Sequence, residues 1–532
     1  MNVDLAKVKR RSDDAWGKRA PWTRLYQDAY DYCIPMRRPG GNGNAAQTPD
    51  RLFDMTAPAS AMAFAGNLQR DLFPSGQENF ELEAGPLAAM ALDEKDVKTY
   101  NRHLAKTSKL IHPFFLNGDW DTAVHEACID LAAGSGALIP LKGDQHNPVF
   151  YASIPFDQLA VGCDAWGRVN FVSWKQTFTY EQLRDAFKDG KFPENIKSKV
   201  RSHPNSEVEV RQDFFQDARG RSAGWHMVVY VQECSTPIKH EHYRTQPIAI
   251  PRYYRVPGEA YGRGVILTAL PSIKTVNKAQ ELALKSAAIS MLGIWGYRAG
   301  GTFNPDTSRL APGEFWAMQS TGGMLGPDIQ RLDAGGRLDI GNMIIGNLQG
   351  QIRDAMFDTR LPEYNGTPKA ASEITARMRQ KADVHIGAFG RLVREIMPVI
   401  VPRTTEILFD AGVLTQVTPR IDELLLSIKV KSPMAAALNA DRLASIANYL
   451  EFVGAIAGPE QTEMYAHIDK IMEKVGDGMQ IDKDLIPTEA ERGEIEKKIN
   501  ERKTAQIIEL FSQRMAEKGP DMVANAVQQE AA

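Results

Sequence analysis

The chain has 532 residues, 43% of them hydrophobic, and carries 63 Lys and Arg against 66 Asp and Glu for a formal net charge of -3. That length is too great for one core and implies two to four regions, while the near-neutral balance excludes a chain that is basic overall. Cys33, Cys128, Cys163 and Cys234 lie far apart with no CxxC pair, which excludes a zinc ribbon or disulfide framework and fits reduced thiols.

No apolar run approaches the ~18 residues of a membrane span, and the first residues lack a signal peptide's apolar core, so a soluble protein is expected. Residues 5–33 read as a helix interrupted near Pro21, with Lys7, Lys9, Arg10 and Arg11 at its head. Such a basic cluster is ordinarily solvated, DNA contact being the alternative. Residues 35–49 are a loop rich in Gly, Asn and Pro. Thr56 is placed to cap a helix with Pro58 in its first turn, kept thin by Ala59, Ala61, Ala63, Ala65 and Gly66. Helices over residues 94–111 and 121–133 follow. From Ala137 the period shifts towards two. Strands are predicted over 149–154, 158–163 and 169–178, with Asp164-Ala165-Trp166-Gly167 as the turn between the last two. A short helix over 180–187 and strands over 208–214, 226–234 and 240–250 complete an α+β first half.

In the centre, residues 271–292 form a predicted helix rich in Ala, Leu, Lys and Glu, stopped by Gly293 and Gly296. Lys274, Lys278, Glu281 and Lys285 make one narrow polar stripe, with Ala279, Ala283 and Ala287 on the opposite side. A glycine-rich stretch over 293–336 carries Trp295, Tyr297, Phe303, Phe315 and Trp316. A second helix over 338–357 sets Ile340, Ile344, Leu348, Ile352 and Met356 on one side. Its Gly341, Gly346 and Gly350 serve either close packing or deformability. The centre thus reads as a helical hairpin with a small knob at its tip. Pro362, Gly366 and Pro368 then force a loop carrying Arg360, Leu361, Tyr364 and Lys369. A long helix over 372–411 follows, broken or kinked near Pro398 and Pro402 and closed by Gly412. Ile428 and Val430 alternate with Lys429 and Lys431 in one return strand; helices over 435–457 and 460–475 are separated by Gly458-Pro459. Thr488 and Glu491 form a capping box for a helix reaching to about residue 518. The class is α+β, predominantly helical.

Catalytic patterns are missing. There is no G-x-x-x-x-G-K-[ST] loop, and Gly262-Arg263-Gly264 is followed by Leu267 where GxGxxG needs glycine. Ser135 has Ala133 and Ala137 outside its flanking glycines, so it is no G-x-S-x-G elbow. His125-Glu126 lacks the second histidine of HExxH. His240 and His242 have metal-ligand spacing on a strand, but no carboxylate-rich segment accompanies them. Asp119 and Asp121 are indistinguishable from surface charge. The expectation is a non-enzyme with no catalytic residues, no cofactor and no metal; an unrecognised metal-dependent hydrolase is the alternative from another class.

Three motifs in order carry a resemblance. Arg51-Leu52-Phe53-Asp54-Met55-Thr56-Ala57-Pro58 precedes a small-residue helix ending at Leu72-Phe73-Pro74. Arg255-Val256-Pro257-Gly258-Glu259 runs into Tyr261-Gly262-Arg263, and Ile481-Asp482 with Leu485-Ile486-Pro487-Thr488-Glu489 precedes a charged helix. Over almost its full length the chain resembles the portal protein, or head-to-tail connector, of short-tailed bacteriophages of the T7-like kind. The resemblance implies a virion ring of twelve copies around a DNA channel. It docks terminase during packaging, holds the tail adaptor afterwards, contacts capsid and scaffolding proteins, and assembles in the host cytoplasm without a membrane. It also implies a division into wing (1–264), first stem helix (265–292), clip (293–337), second stem helix (338–358), tunnel loop (359–371), kinked helix and return strand (372–434), and helical crown with tail (435–532). Under it Lys274, Lys278 and Lys285 line the channel, Arg360, Leu361, Tyr364 and Lys369 form the constriction, and the five clip aromatics receive terminase and adaptor. Another ring-forming virion component, such as a tail adaptor, is the nearer alternative.

Overall fold

The computed structural model describes residues 4–37, 52–292, 294–297, 329–332, 338–358, 371–414 and 426–457, with parts of 465–509; within these, residues 145 and 218–223 are not described. The elements begin with α1 (Leu5–Cys33), α2 (Thr56–Leu72), β1 (Phe80–Ala84), α3 (Pro86–Ala91), α4 (Glu94–Asn117) and α5 (Trp120–Ala133). Next come β2 (Leu138–Lys142), β3 (Val149–Ser153), β4 (Leu159–Cys163), β5 (Val169–Thr179), α6 (Tyr180–Ala186) and α7 (Glu194–Ser202). They are followed by β6 (Glu207–Asp217), β7 (Gly224–Val231), β8 (Lys239–Tyr243), α8 (Val265–Leu292), β9 (Ile294–Tyr297), β10 (Ile329–Leu332) and α9 (Leu338–Ala355). The chain continues through α10 (Ala371–Asp410), β11 (Leu426–Val430), α11 (Pro433–Ala457) and α12 (Ile468–Gly478). It divides into two units, residues 1–93 with 107–434 and residues 94–106 with 435–532.

In the first unit α1 lies on an antiparallel sheet of order β4-β5-β6-β7-β8. Leu5 and Val8 pack on Val228 and Tyr230, and Ala15 packs on Ala160 and Phe171. Between these contacts Ser12 Oγ lies 3.0 Å from Ser173 Oγ and donates to Asp213 at 3.3 Å. Lys9 donates to the carbonyls of Gln232 and Cys234, and Arg11 to Asn170. Half of the basic head of α1, Lys9 and Arg11, is therefore spent on fastening the helix to the sheet region, while Lys7 and Arg10 are exposed. A second, aromatic core stacks Phe80, Phe115, Trp120 and Tyr151 at centroid separations of 4.9 to 5.2 Å. The latter half of α10 joins it there: Tyr151 Oη is 2.8 Å from Thr404 Oγ1, and the buried Arg252 pairs with Glu395 at 2.9 Å.

Several expectations are corrected. Helix α1 runs through Pro21 without a break. A proline inside a helix costs about 3 kcal/mol, but both halves are anchored, Leu5 to Arg19 before it and Tyr26 to Cys33 after it. Thr56 does not cap α2; it is the helix's first residue, after an N-cap Met55 without a side-chain cap bond, and its N–H and hydroxyl donate to Asp54 at 3.2 and 3.1 Å. The central helix starts at Val265, with Pro271 inside it, because Val265, Ile266, Ala269 and Leu270 are already buried there. Pro398 and Pro402 do not break α10, which runs from Ala371 to Asp410 as one helix. Strand β8 ends at Tyr243 rather than near residue 250, where Glu406 of α10 instead takes Arg244 N and Thr245 Oγ1. The return strand has a partner that periodicity did not reveal: β1 pairs with it from Phe80↔Val430 to Ala84↔Leu426. The Asp164 turn is as expected, its carboxylate accepting from Trp166 N and Arg168 N with Gly167 at φ +73°.

The second unit is helical in its described parts. Helix α11 exposes Tyr449, Phe452 and Ile456, and Leu443 of α11 lies against Gly478 of α12. Residues 491–495 and 497–506 are also helical; the proposed cap at Thr488 lies outside the described residues. No described helix is long and apolar enough to cross a membrane.

Candidate nucleic-acid interface

Helices α8 and α9 pair side by side, and β9 and β10 continue them as an antiparallel ladder from Ile294↔Leu332 to Tyr297↔Ile329. Burial divides the hairpin lengthwise. At its root Ile273, Val276, Ile352 and Met356 are buried; further out Leu282, Leu284, Met343 and Ile344 are half or more exposed. The apolar side of α9 is set by Ile345, Ile352 and Met356, so Ile344, expected on that side, faces out. A Cβ added at Gly341, Gly346 or Gly350 meets nothing within 4 Å, so packing within the chain does not require glycine there.

The polar stripe is internally charged-compensated. Lys274 Nζ lies 2.7 Å from Asp28 of α1 and 5.7 Å above the Tyr32 ring. Lys278 and Lys285 reach the two oxygens of Glu281 at 2.9 and 2.6 Å, and both lysines are exposed. Hydrogen bonds from Lys285 and then Lys278 hold the Glu281 carboxyl down to about 2, so it stays ionised. Lys278, Glu281 and Lys285 together present a net single positive charge on the open length of the hairpin, and Lys274 stands apart at the root.

The root is held by a clamp that spacing alone did not reveal. Asn277 Oδ1 accepts from Phe53 N at 2.7 Å and Asp54 N at 3.2 Å. Gln349 of α9 donates to Asp54 Oδ1 at 2.7 Å, and Ser60 of α2 to Asp358 at 2.9 Å. The Leu52-Phe53-Asp54 motif therefore ties α2 to both hairpin helices; its signal was the motif itself, with no partner visible in the sequence. The Tyr261-Gly262-Arg263-Gly264 stretch has an equally physical reason. Ser135 Oγ accepts from Gly262 N at 2.7 Å, and Tyr26 Oη donates to the Gly262 carbonyl. A side chain on Gly262 or Gly264 would run into the backbone of Gly134 or Ala132. Both glycine clusters that failed as catalytic patterns are thus a close backbone crossing that seats the start of α8.

What this hairpin belongs to is decided by the reach of one match: the sequence model of the family described as bacteriophage head to tail connecting protein covers residues 5–486, from α1 through α12. The chain belongs to this family. No curated protein matches it. The connecting-protein family is structural, and its members are components of the virion between head and tail. Among the described residues of this connector, no group of three His, Cys, Asp or Glu is arranged to hold a metal. Trp295 and Tyr297 stand on β9 opposite Arg331 and Ile329 of β10, but their side chains lie outside the described residues. Phe303, Phe315 and Trp316, and the loop residues Arg360, Leu361, Tyr364 and Lys369, also lie outside them.

Proposed function

We propose that the chain is the portal subunit of a phage head, a ring of twelve copies at one capsid vertex through which genomic DNA enters and leaves. The observation that carries this reading is the α8–α9 hairpin, rooted in the wing and apolar but uncovered along its outer half. An isolated hairpin of this kind gains its missing burial from identical neighbours, and a closed cyclic assembly supplies them without leaving an open end. Copied around a ring, Lys278 and Lys285 form bands of positive charge, diluted by Glu281. Phosphate contact there is sequence-independent and weakens with salt, which suits DNA that slides. Residues 359–371 form the constriction, with Arg360 and Lys369 towards phosphate and Leu361 and Tyr364 as its apolar part. The clip aromatics receive terminase and then the tail adaptor, since aromatics are typical interface anchors. The ATP chemistry of packaging belongs to terminase; capsid and scaffolding proteins hold the rim.

Electron microscopy of the purified full chain is expected to show closed rings with a central hole. A monomer by light scattering with intact secondary structure, at the concentrations of assembly, overturns the reading.

A further inference from the structure

The histidines of β7 and β8 stand apart from the hairpin. His226 of β7 is opposite Phe215 of β6 on one side and His242 of β8 on the other, with His240 diagonally across. Alternate strand residues share a face, so all four lie on the face where Leu5 and Val8 of α1 pack. His226 is 3% exposed, whereas His240 and His242 are open to solvent. The His226 ring stacks on Phe215 at 5.5 Å and meets His242 edge-on at 4.9 Å. Its Nδ1 lies 3.2 Å from His240 Nε2, while the two ring centroids are 5.4 Å apart. The centroid separation exceeds the nitrogen separation by about one ring width, so the nitrogens point at each other. No cation fits between them; the contact is an imidazole–imidazole hydrogen bond. Such a bond needs one nitrogen as donor and the other as acceptor, so it survives one added proton and not two.

We propose that the His226–His240 pair is an acid-released latch on the edge strand β8. Above the histidine range the bond holds β8 to β7, with His226 seated against Phe215 of β6; below it, two imidazolium rings face each other and the strand's outer edge opens.

The surrounding charges leave the pair as the controlling element. On the same face, Asp213 of β6 is engaged by Ser12 and Tyr230, and Lys9 of α1 lies over the Tyr230 ring. Asp217 of β6 is opposite Gly224, over which His242 lies. Lys239 and Glu241 alternate onto the other face, where they bond each other at 2.7 Å. Arg403 of α10 lies over Tyr243 on that same far side and pairs with Glu406. Burial first, and then the positive neighbours His226 and His242, hold His240 below the ordinary histidine value. With the folded value depressed, the stabilisation is complete above the ordinary value near ~6.5 and is lost as pH falls through the lower folded one.

The test is amide hydrogen exchange of residues 239–243 in the full chain at pH 7.5 and 5.0, corrected for intrinsic rates. Protection there is expected to fall by about tenfold in the native sequence. His240→Gln keeps a hydrogen-bonding partner for His226 without a charge, and its fall is expected to be under about threefold. His242→Gln serves as the control that retains the full response. No fall in the native sequence overturns the latch, whatever the variants do. An equal fall in His240→Gln and the native protein overturns it as well.

Discussion

Burial pushes the carboxyls of Asp130 and Asp213 up to about 6, and each holds the end of a polar network against α1 or the turn after it. Asp130 accepts from Tyr30 at 2.7 Å and pairs with Arg37 at 2.9 Å; Asp213 accepts from Tyr230 at 2.8 Å and from Ser12. With folded values raised above the unfolded one, their contribution is fully present below about pH 4 and is lost as pH rises through 6. That sense is opposite to the histidine latch, so global stability and exchange at β8 separate the two. Asp213→Asn removes the ionisation at nearly constant shape. The loss of stability between pH 5 and pH 7 in urea unfolding is expected to shrink by about 1 kcal/mol. An unchanged pH dependence would mean that Asp213 is already ionised at pH 5.

At the scale of elements, the glycines of α9 ask for a mechanical explanation. Helix interiors lose about 1 kcal/mol at each glycine relative to alanine, and the space around Gly341, Gly346 and Gly350 is open within the chain. Replacing all three by alanine is therefore expected to raise the melting temperature of the isolated subunit. If the assembled ring then packages DNA poorly, the helix must bend to work. A more stable protein that still packages normally would assign the glycines no mechanical role. The clamp of Phe53, Asp54, Asn277 and Gln349 confines any such bending to the outer hairpin, because the root of both helices is bonded to the segment before α2.

For the whole molecule, the lysine stripe divides into a root and a shaft. Lys274 is paired with Asp28 and contributes to holding α8 on α1, whereas Lys278 and Lys285 are exposed around Glu281. On the portal reading, the variant Lys278→Glu with Lys285→Glu is expected to leave ring formation unaffected while packaging or retaining less DNA, the deficit relative to the native chain shrinking as salt screens the contact. Adding Lys274→Glu sets a second carboxylate against Asp28 and is expected to lower stability as well, read by thermal unfolding. Normal packaging by the double variant would make the stripe an ordinary solvated surface.

Local patterns in the sequence determined most of the elements. The helices before the sheet, the Asp164 hairpin, the two paired central helices and the long helix after them are written in periodicity, proline and glycine. These depend on neighbours within a few residues, which is what a sequence displays directly. Tertiary structure alone decided how prolines are carried, since the cost at Pro21 and Pro271 is offset by burial of residues far away in the chain. It also decided that β1 pairs with β11 across some 350 residues, that Asn277 meets Phe53 and Asp54, and that Lys274 belongs to Asp28. Pairings of that kind leave no local trace, because a hydrogen bond or strand ladder fixes two positions in space without constraining the residues between them.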